Sequence, residues 1–124
     1  MWRLAAVIKS ILTELESALS NLTATGETHT IYINKMGLSQ KDREELHDYL
    51  GQGSVSIKLK NSDEPAEWIE SGISGIWLGV YFDHRDNPLL ETVEVAYFPP
   101  VAAAHKEDIL QGRQRLQSLI ADYQ

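Results

Sequence analysis

The side chains that could carry catalysis or bind a metal are few and scattered in this sequence. Its four histidines, His29, His47, His84 and His105, never occur at the HxH or HxxxH spacing of a preformed metal site. Cysteine is absent, which excludes disulfides, thiol catalysis and cysteine-ligated zinc or iron–sulfur clusters within the chain. The sequence therefore predicts no metal and no other cofactor.

Two short segments look like chemical motifs but fit ordinary turns better. Residues 83–86 (DHRD) combine acids with His and Arg, yet Asn87 and Pro88 follow them, which is typical of a solvated hairpin tip. Residues 50–54 (LGQGS) resemble a phosphate-binding loop, but they follow a predicted helix and precede a strand, the reverse of the required order. We predict that the protein is not an enzyme. Acid–base chemistry by an Asp/Glu–His pair brought together by folding stays open as an alternative.

Charge and length narrow the class of protein further. The 124 residues fit one domain, 1–124, and carry 18 acidic against 11 basic side chains, for a net charge of -7. This balance argues against binding to nucleic acid or to an anionic membrane surface, because both need clustered cations. We expect a soluble, cytoplasmic protein that recognises neither.

The N-terminal segment, residues 1–22, predicts an amphipathic helix rather than a signal peptide. Lys9, Glu14 and Glu16 interrupt its apolar run, so no continuous apolar core of secretory or membrane-spanning length exists there. Its apolar residues instead recur every three to four positions, the period of a helix with one buried face. Such a helix packs on its own domain or docks a partner.

The rest of the chain predicts an α+β fold with the element order α-β-α-β-β-β-β-α. Ser39 can cap a second helix, and Gly51 can end it. A final helix is predicted from Lys106 to Tyr123. The predicted strands are 30–34, 54–60, 66–70, 76–82 and 90–98. Consecutive strands with short turns imply an antiparallel sheet of four to five strands with the helices packed on one face.

Aromatic side chains on these strands are the best candidates for contact with a partner. Trp77, Gly79 and Tyr81 alternate along one strand and therefore share one face of the sheet. If the opposite, aliphatic face forms the core, these aromatics lie on an open face with room above Gly79. Burial of Trp77 is the alternative.

Several motif pieces then follow one another in a specific order. They are Leu38-Ser39-x-x-Asp42-Arg43-x-x-Leu46, Leu50-Gly51-x-Gly53-x-Val55-x-Ile57, Trp68-Ile69-x-x-Gly72-Ile73-x-x-Ile76-Trp77 and Leu90-Glu91-x-x-Glu94-Val95, followed by Pro99-Pro100-Val101. This ordered set, which begins with Ile31–Asn34, resembles the C-terminal domain of HupH/HyaF-type hydrogenase expression/formation proteins. The resemblance covers residues 30–120.

The resemblance implies a non-enzymatic accessory or chaperone role in the maturation of [NiFe] hydrogenase. The partner would be the iron–sulfur-bearing small subunit before its export, or another accessory protein, and any cluster or nickel would belong to that client. Longer members of the family carry two copies of this module, so a homodimer could replace the tandem pair. A generic interaction module that forms a homodimer, or a small enzyme, remains an alternative.

The family supplies no catalytic residues, so the site predictions concern partner contact and structure. The predicted partner contacts are Trp68, Trp77, Tyr81, Asp42 and Arg43. The predicted structural positions are Gly51, Gly53, Gly72, Glu94 and Pro99. Arg43 could pair with a carboxylate such as Glu94 and so fix the second helix to the sheet.

Overall fold

An antiparallel five-stranded sheet with three α-helices forms the fold, and the computed structural model describes residues 6–60 and 63–123 of it. The elements are α1 Ala6–Thr25, β1 His29–Tyr32, α2 Gln40–Leu50, β2 Ser56–Leu59, β3 Ala66–Glu70, β4 Ile76–Phe82, β5 Pro88–Val95 and α3 Lys106–Asp122. The strand order is β1-β5-β4-β3-β2, so β2 to β5 form a meander and β1 pairs with the outer edge of β5. The predicted α+β class and element order are confirmed. Residues 1–5 of the predicted first helix and 61–62 of the turn before β3 lie outside the described residues.

The first helix ends three residues later than its apolar period predicts. Two threonines that favour a loop, Thr23 and Thr25, remain helical, and the hydroxyl of each donates to a helix carbonyl one turn earlier. Thr25 Oγ1, for example, donates to the backbone oxygen of Asn21 at 2.8 Å. Gly26 then ends the helix with a φ of 78°, a conformation that favours glycine.

The main core lies between α1, α2 and one face of the sheet. Its buried side chains are all aliphatic, and they come from α1, α2, β1, the short turn after β1, β4 and β5. They are Ile8, Ile11, Leu15, Ala18, Leu22, Ile31, Ile33, Leu46, Leu50, Ile76, Val93 and Val95. Ile76 and its partly buried neighbour Leu78 belong to this cluster, so the aliphatic face of β4 is the one that packs on the helices.

The last strand is shorter at its end than the sequence predicts. β5 was expected to continue to Phe98 but ends at Val95, because Val95 pairs with Ile76, the first residue of β4. Residues beyond Val95 therefore have no facing residue on β4. The N–H of Ala96 bonds instead to the oxygen of Gly75 at 2.9 Å, and the chain leaves the sheet.

Glycines join the end of α2 to the connection between β3 and β4. Gly51 caps α2 with a φ of 68°, and Gly72 N donates to Leu50 O at 2.8 Å. Gly53 N donates to Glu70 O at 2.7 Å, which places the Gly53 Cα against the backbone of Ser71. A Cβ on Gly53 would come within 2.6 Å of the Ser71 oxygen. The predicted structural glycines thus meet at one backbone-to-backbone contact.

The third helix differs from the other two in having no buried residue. Packing against one face of the sheet therefore holds for α1 and α2, while α3 stands apart from that core. The connection before α3 explains this difference. Ala102 packs against the aromatic cluster on the opposite face of the sheet, so the chain approaches α3 on the side away from α1 and α2.

We expect Gly53→Ala to lower the free energy of unfolding by about 1–3 kcal/mol, because the added Cβ must displace the Ser71 carbonyl. Chemical denaturation monitored by tryptophan fluorescence measures the loss. The matched control is Gln52→Ala, because the neighbouring Gln52 side chain is exposed and the substitution adds no Cβ. Equal stability of the two variants would contradict the close contact at Gly53.

Candidate functional site

The aromatic residues predicted to contact a partner lie together on the sheet face opposite α1 and α2. Trp68 on β3 and Trp77 on β4 form a second buried cluster with Ala66, and Tyr81 packs against it. The rings of Trp68 and Tyr81 meet edge to face, with centroids 5.5 Å apart and planes at 88°. Alternation along β4 therefore separates the aliphatic and aromatic faces as the sequence predicts.

A buried carboxylate stands at the centre of this aromatic cluster. Glu94 is only 3% exposed, and its Oε2 accepts three hydrogen bonds. The donors are Trp68 Nε1 at 2.9 Å, Tyr81 Oη at 3.0 Å and Thr92 Oγ1 at 2.6 Å. All three are neutral groups, so the carboxylate is stabilised by directed hydrogen bonds, which are stronger when the acceptor is charged.

Strand register and one glycine make room for this carboxylate. Trp68, Gly79 and Thr92 face one another across β3, β4 and β5, so their side-chain positions form one row on the aromatic face. A Cβ at Gly79 would lie 2.8 Å from Glu94 Oε2 and would also collide with Thr92 Oγ1. The room that alternation predicts above Gly79 is thus occupied by the Glu94 carboxylate.

The electrostatics of the cluster act on the Tyr81 hydroxyl. Burial disfavours the tyrosinate, and the nearby Glu94 carboxylate disfavours a second negative charge. Together they raise the pKa of Tyr81 well above its ordinary value of 10.0. Tyr81 therefore stays protonated and acts as a hydrogen-bond donor to Glu94 rather than as an acid that loses its proton near neutral pH.

Trp77 closes the other end of this face, so the face is not open as expected. Its indole Nε1 donates to Ala96 O at 3.0 Å, and Phe98 packs edge to face against its ring at 6.2 Å. Trp77 is 3% exposed, which is the alternative that the sequence left open, and Trp68 is 0% exposed. Direct contact of the two indoles with a partner stays a prediction, and in this structure neither ring offers surface for it.

Asp42 and Arg43, the other predicted partner contacts, lie in the first turn of α2. Asp42 N donates to the Ser39 hydroxyl at 3.0 Å, the predicted N-cap. Arg43 forms an ion pair with Glu91. The suggested Arg43–Glu94 pair is wrong because residues alternate along β5: Glu91 shares the face of Val93, which packs on the helices, while Glu94 points to the opposite face. Arg43 does join α2 to the sheet by an ion pair, but its partner is Glu91 on β5.

The remaining predicted structural position, Pro99, lies just after the aromatic face. Its side chain is fully buried, in contrast to Tyr97 and Phe98 before it and Val101 after it. These three large apolar side chains are 47–70% exposed. We refer to Tyr97, Phe98 and Val101 as the post-β5 patch, and Phe98 connects it to the buried Trp77.

The acidic hairpin tip that looked chemical is a hydrogen-bonded turn. Asp83 Oδ1 accepts from Arg85 N at 2.8 Å and from Asn87 N at 2.9 Å. These backbone donors stabilise the charged form and lower the pKa of the Asp83 carboxyl. Asp86 completes the turn with a positive φ of 64°. The side chains of this turn act on their own backbone.

A groove of about 630 Å³ lies between α1 and β1. It contains the one acid–histidine contact in the described part of the chain, His29 Nε2 to Glu14 Oε2 at 2.6 Å. Both side chains are nearly half exposed, and the contact joins helix to strand. No hydroxyl of residues 6–60 or 63–123 bonds to His29, so the pair lacks the nucleophile of a hydrolytic triad.

The described residues form no grouping of three or more His, Cys, Asp or Glu side chains that could hold a metal ion. Over the same residues, no helix is both long and apolar enough to cross a membrane. Sequence reasoning placed Glu94 among the structural positions but missed its bonds to Trp68 and Tyr81. The alternation of residues along β5 could have indicated these bonds. Thr92 and Glu94 alternate with Val93 and Val95, so the two polar side chains share the face opposite the valines.

Fold and site together define the class: a small α+β sheet protein with an aliphatic core on one face, a hydrogen-bonded aromatic cluster on the other, and exposed apolar side chains after β5. The model of the family "HupH hydrogenase expression protein, C-terminal conserved region" matches residues 6–123. The chain belongs to this family, which confirms the resemblance. The match includes α1 as well as the sheet.

Known proteins with similar sequences carry the same kind of name. The chain is 32% identical over 96 residues to the hydrogenase expression/formation protein HoxQ of Azotobacter vinelandii, covering 77% of this chain and 34% of that protein. It is 29% identical over 94 residues to the hydrogenase-1 operon protein HyaF of Escherichia coli strain K12, covering 75% and 32%. This chain spans about a third of the length of these curated relatives.

A solved structure has the same fold. The hydrogenase expression protein HupH from Thiobacillus denitrificans ATCC 25259 superposes with a TM-score of 0.83 at 26% sequence identity. The superposition covers 95% of this chain and 98% of the other. This coverage is too large to leave out the 17 residues of α3 altogether.

We expect Tyr81→Phe to lower the free energy of unfolding by about 1.5–3 kcal/mol, because it removes a hydrogen bond to a buried carboxylate. Denaturant titration measures the change, and Tyr49→Phe, on the exposed side of α2, is the matched control. In a Glu94→Gln background the acceptor is neutral, so the same Tyr81→Phe change should cost only about 1 kcal/mol. Identical costs in both backgrounds would contradict a charge-assisted bond.

We also expect the Tyr81 hydroxyl to ionise at a higher pH than the hydroxyl of a free tyrosine. The difference in tyrosinate absorbance between wild type and Tyr81→Phe isolates its titration, with a midpoint well above 10.0. Because the folded pKa is raised, its contribution to stability is complete below the unfolded pKa of about 10 and is lost as pH rises above that value. A difference titration centred at the free value would contradict the buried network.

Proposed function

We propose that this chain is a non-enzymatic accessory factor in the maturation of [NiFe] hydrogenase. Its client is the hydrogenase small subunit or another accessory protein, and it acts in the cytoplasm before the small subunit is exported. The observation that carries the proposal is the family match over residues 6–123, together with relatives named as hydrogenase expression or formation proteins. The absence of cysteine fits a factor whose client carries the cluster.

The post-β5 patch is the surface that best suits such a client. Its side chains Tyr97, Phe98 and Val101 are large, apolar and exposed, and aromatic residues contribute strongly to protein interfaces. Phe98 rests on Trp77, whose position is fixed by the bond to Ala96. In this proposal the buried aromatic cluster supports the post-β5 patch and keeps its position fixed. The supporting side chains are Trp68, Trp77 and Tyr81.

A polar role for the first turn of α2 belongs to the same proposal. Asp42 and Arg43 lie at the positive end of the helix, and Arg43 is only partly exposed because it pairs with Glu91. A client carboxylate could share the Arg43 guanidinium, which has five donors. This contact is secondary to the apolar patch, since partly exposed ion pairs contribute little free energy.

The second candidate function is a small enzyme. The observation that favours it is the short Glu14–His29 contact inside the groove between α1 and β1, since an acid-oriented imidazole can act as a general base. The exposure of both side chains and the lack of a bonded hydroxyl rank it below the accessory role. Replacement of His29 by Gln separates the two functions, because only an enzyme needs the imidazole there.

We expect the purified chain to capture hydrogenase small-subunit precursor in a pull-down, and deletion of its gene to lower hydrogenase activity in the source organism. Tyr97→Ser should weaken capture by about tenfold or more, as loss of an aromatic anchor does. The matched control is Leu89→Ser, an exposed apolar residue at the opposite end of β5.

Restored hydrogenase activity with His29→Gln and not with Tyr97→Ser would support the accessory role. Three results would contradict it: no capture of the precursor, normal hydrogenase activity after deletion, or loss of function in His29→Gln alone.

A further inference from the structure

The third helix carries an apolar stripe that nothing in the described chain covers. Ile109 and Leu116 are spaced seven residues apart, Tyr123 at the C-cap continues this spacing, and Leu119 and Ile120 lie beside them. Each of the five is more than half exposed. An apolar stripe at seven-residue spacing is the seam by which two helices pair, with one set of side chains at each core position.

The total surface of the chain exceeds the average for a folded monomer of its mass. Its accessible area is 9045 Å². A folded monomer of 14.0 kDa is expected to expose about 6,700 Å². The excess is larger than the roughly 800 Å² that one partner contributes to a standard interface.

We propose that α3 pairs in parallel with α3 of a second copy of this chain. Ile109, Leu116 and Tyr123 occupy the first core position of the heptad, and Leu119 occupies the second. A second copy presents the same stripe, so a twofold axis along the two helices matches each apolar layer with itself. Gly112 falls at the second core position, where open space around its Cα allows the helices to approach.

Charges beside the stripe select the second copy and the parallel direction. Ile109 occupies the first core position of the heptad, and Asp108 lies immediately before it, on one side of the apolar stripe. Arg113 lies five residues after Asp108, on the other side of the stripe. In a parallel pair these flanking positions face each other, so each Asp108 meets Arg113 of the second copy, twice per dimer. Neither side chain forms a salt bridge within residues 6–60 or 63–123.

An antiparallel pair would not form these Asp108–Arg113 contacts. It brings like flanks together, so Arg113 and Arg115, near the middle of the helix, would approach the same residues of the second copy. The parallel arrangement also places both sheets at the same end of the paired helices. Self-association through α3 does not depend on the identity of any client.

The first test is the oligomeric state of the full 124-residue chain by sedimentation equilibrium. We expect a concentration-dependent dimer, and Leu116→Glu should raise its dissociation constant by at least about tenfold. Leu110→Glu is the matched control: Leu110 is similarly exposed but points about 100° away from Ile109 around the helix. Because α3 has no buried residue, both variants should keep the wild-type thermal unfolding of the sheet.

The second test reads the direction of the pair and uses the absence of native cysteine. In a parallel pair, Ile109→Cys lies against its own counterpart and forms a disulfide-linked dimer under mild oxidation. In an antiparallel pair the two thiols would be separated by about 15 Å along the axis and would not cross-link. Leu110→Cys, off the stripe, is the control for random collision.

The third test exchanges the charges. Asp108→Arg and Arg113→Asp should each weaken the dimer, and the double variant should restore it to near the wild-type dissociation constant. A monomeric wild type up to about 100 µM, equal effects of Leu116→Glu and Leu110→Glu, or a double variant that stays dissociated would each overturn the proposal. Dimerisation with cross-linking at Ile109 and rescue by charge exchange would establish it.

Discussion

The hydrogen bonds to the Glu94 carboxylate are the constraint on which the aromatic half of this structure depends. Burial removes the carboxylate from water, which costs free energy unless hydrogen-bond donors of the protein replace the lost water. Trp68, Tyr81 and Thr92 supply them from β3, β4 and β5 in turn, so the three strands must be in register before the charge is satisfied. Gly79 completes the requirement by leaving the space that the carboxylate occupies.

The two faces of the sheet are stabilised by different physics. On the helix face, aliphatic side chains pack without direction, and α1 and α2 cover them. On the other face, aromatic rings are oriented by hydrogen bonds and are covered by the chain that follows β5. The segment after β5 is short, so its own apolar side chains remain exposed to solvent. The helix α3 that follows has no buried residue. The surfaces proposed for a client and for a second copy both arise from this arrangement.

Local sequence signals predicted much of the fold. β3 and β4 were predicted at their observed bounds, because turns rich in glycine and polar residues delimit them. The N-cap at Ser39 and the end of α2 at Gly51 also follow from local rules. The end of β5 did not, because it depends on where β4 begins. The partner of Arg43 was misjudged for a similar reason: the side of the sheet that Glu91 and Glu94 face is decided by packing.

The sequence by itself determined the class of fold, the family and the separation of aliphatic from aromatic faces, because periodicity, caps and ordered motifs are local properties of the chain. Only the tertiary structure decided that Trp68 and Trp77 are buried, that Glu94 is the acceptor at their centre and that α3 is uncovered. These facts depend on which strands become neighbours and what the chain after β5 covers. A residue's neighbours across a sheet lie far away in sequence, so no local pattern specifies them.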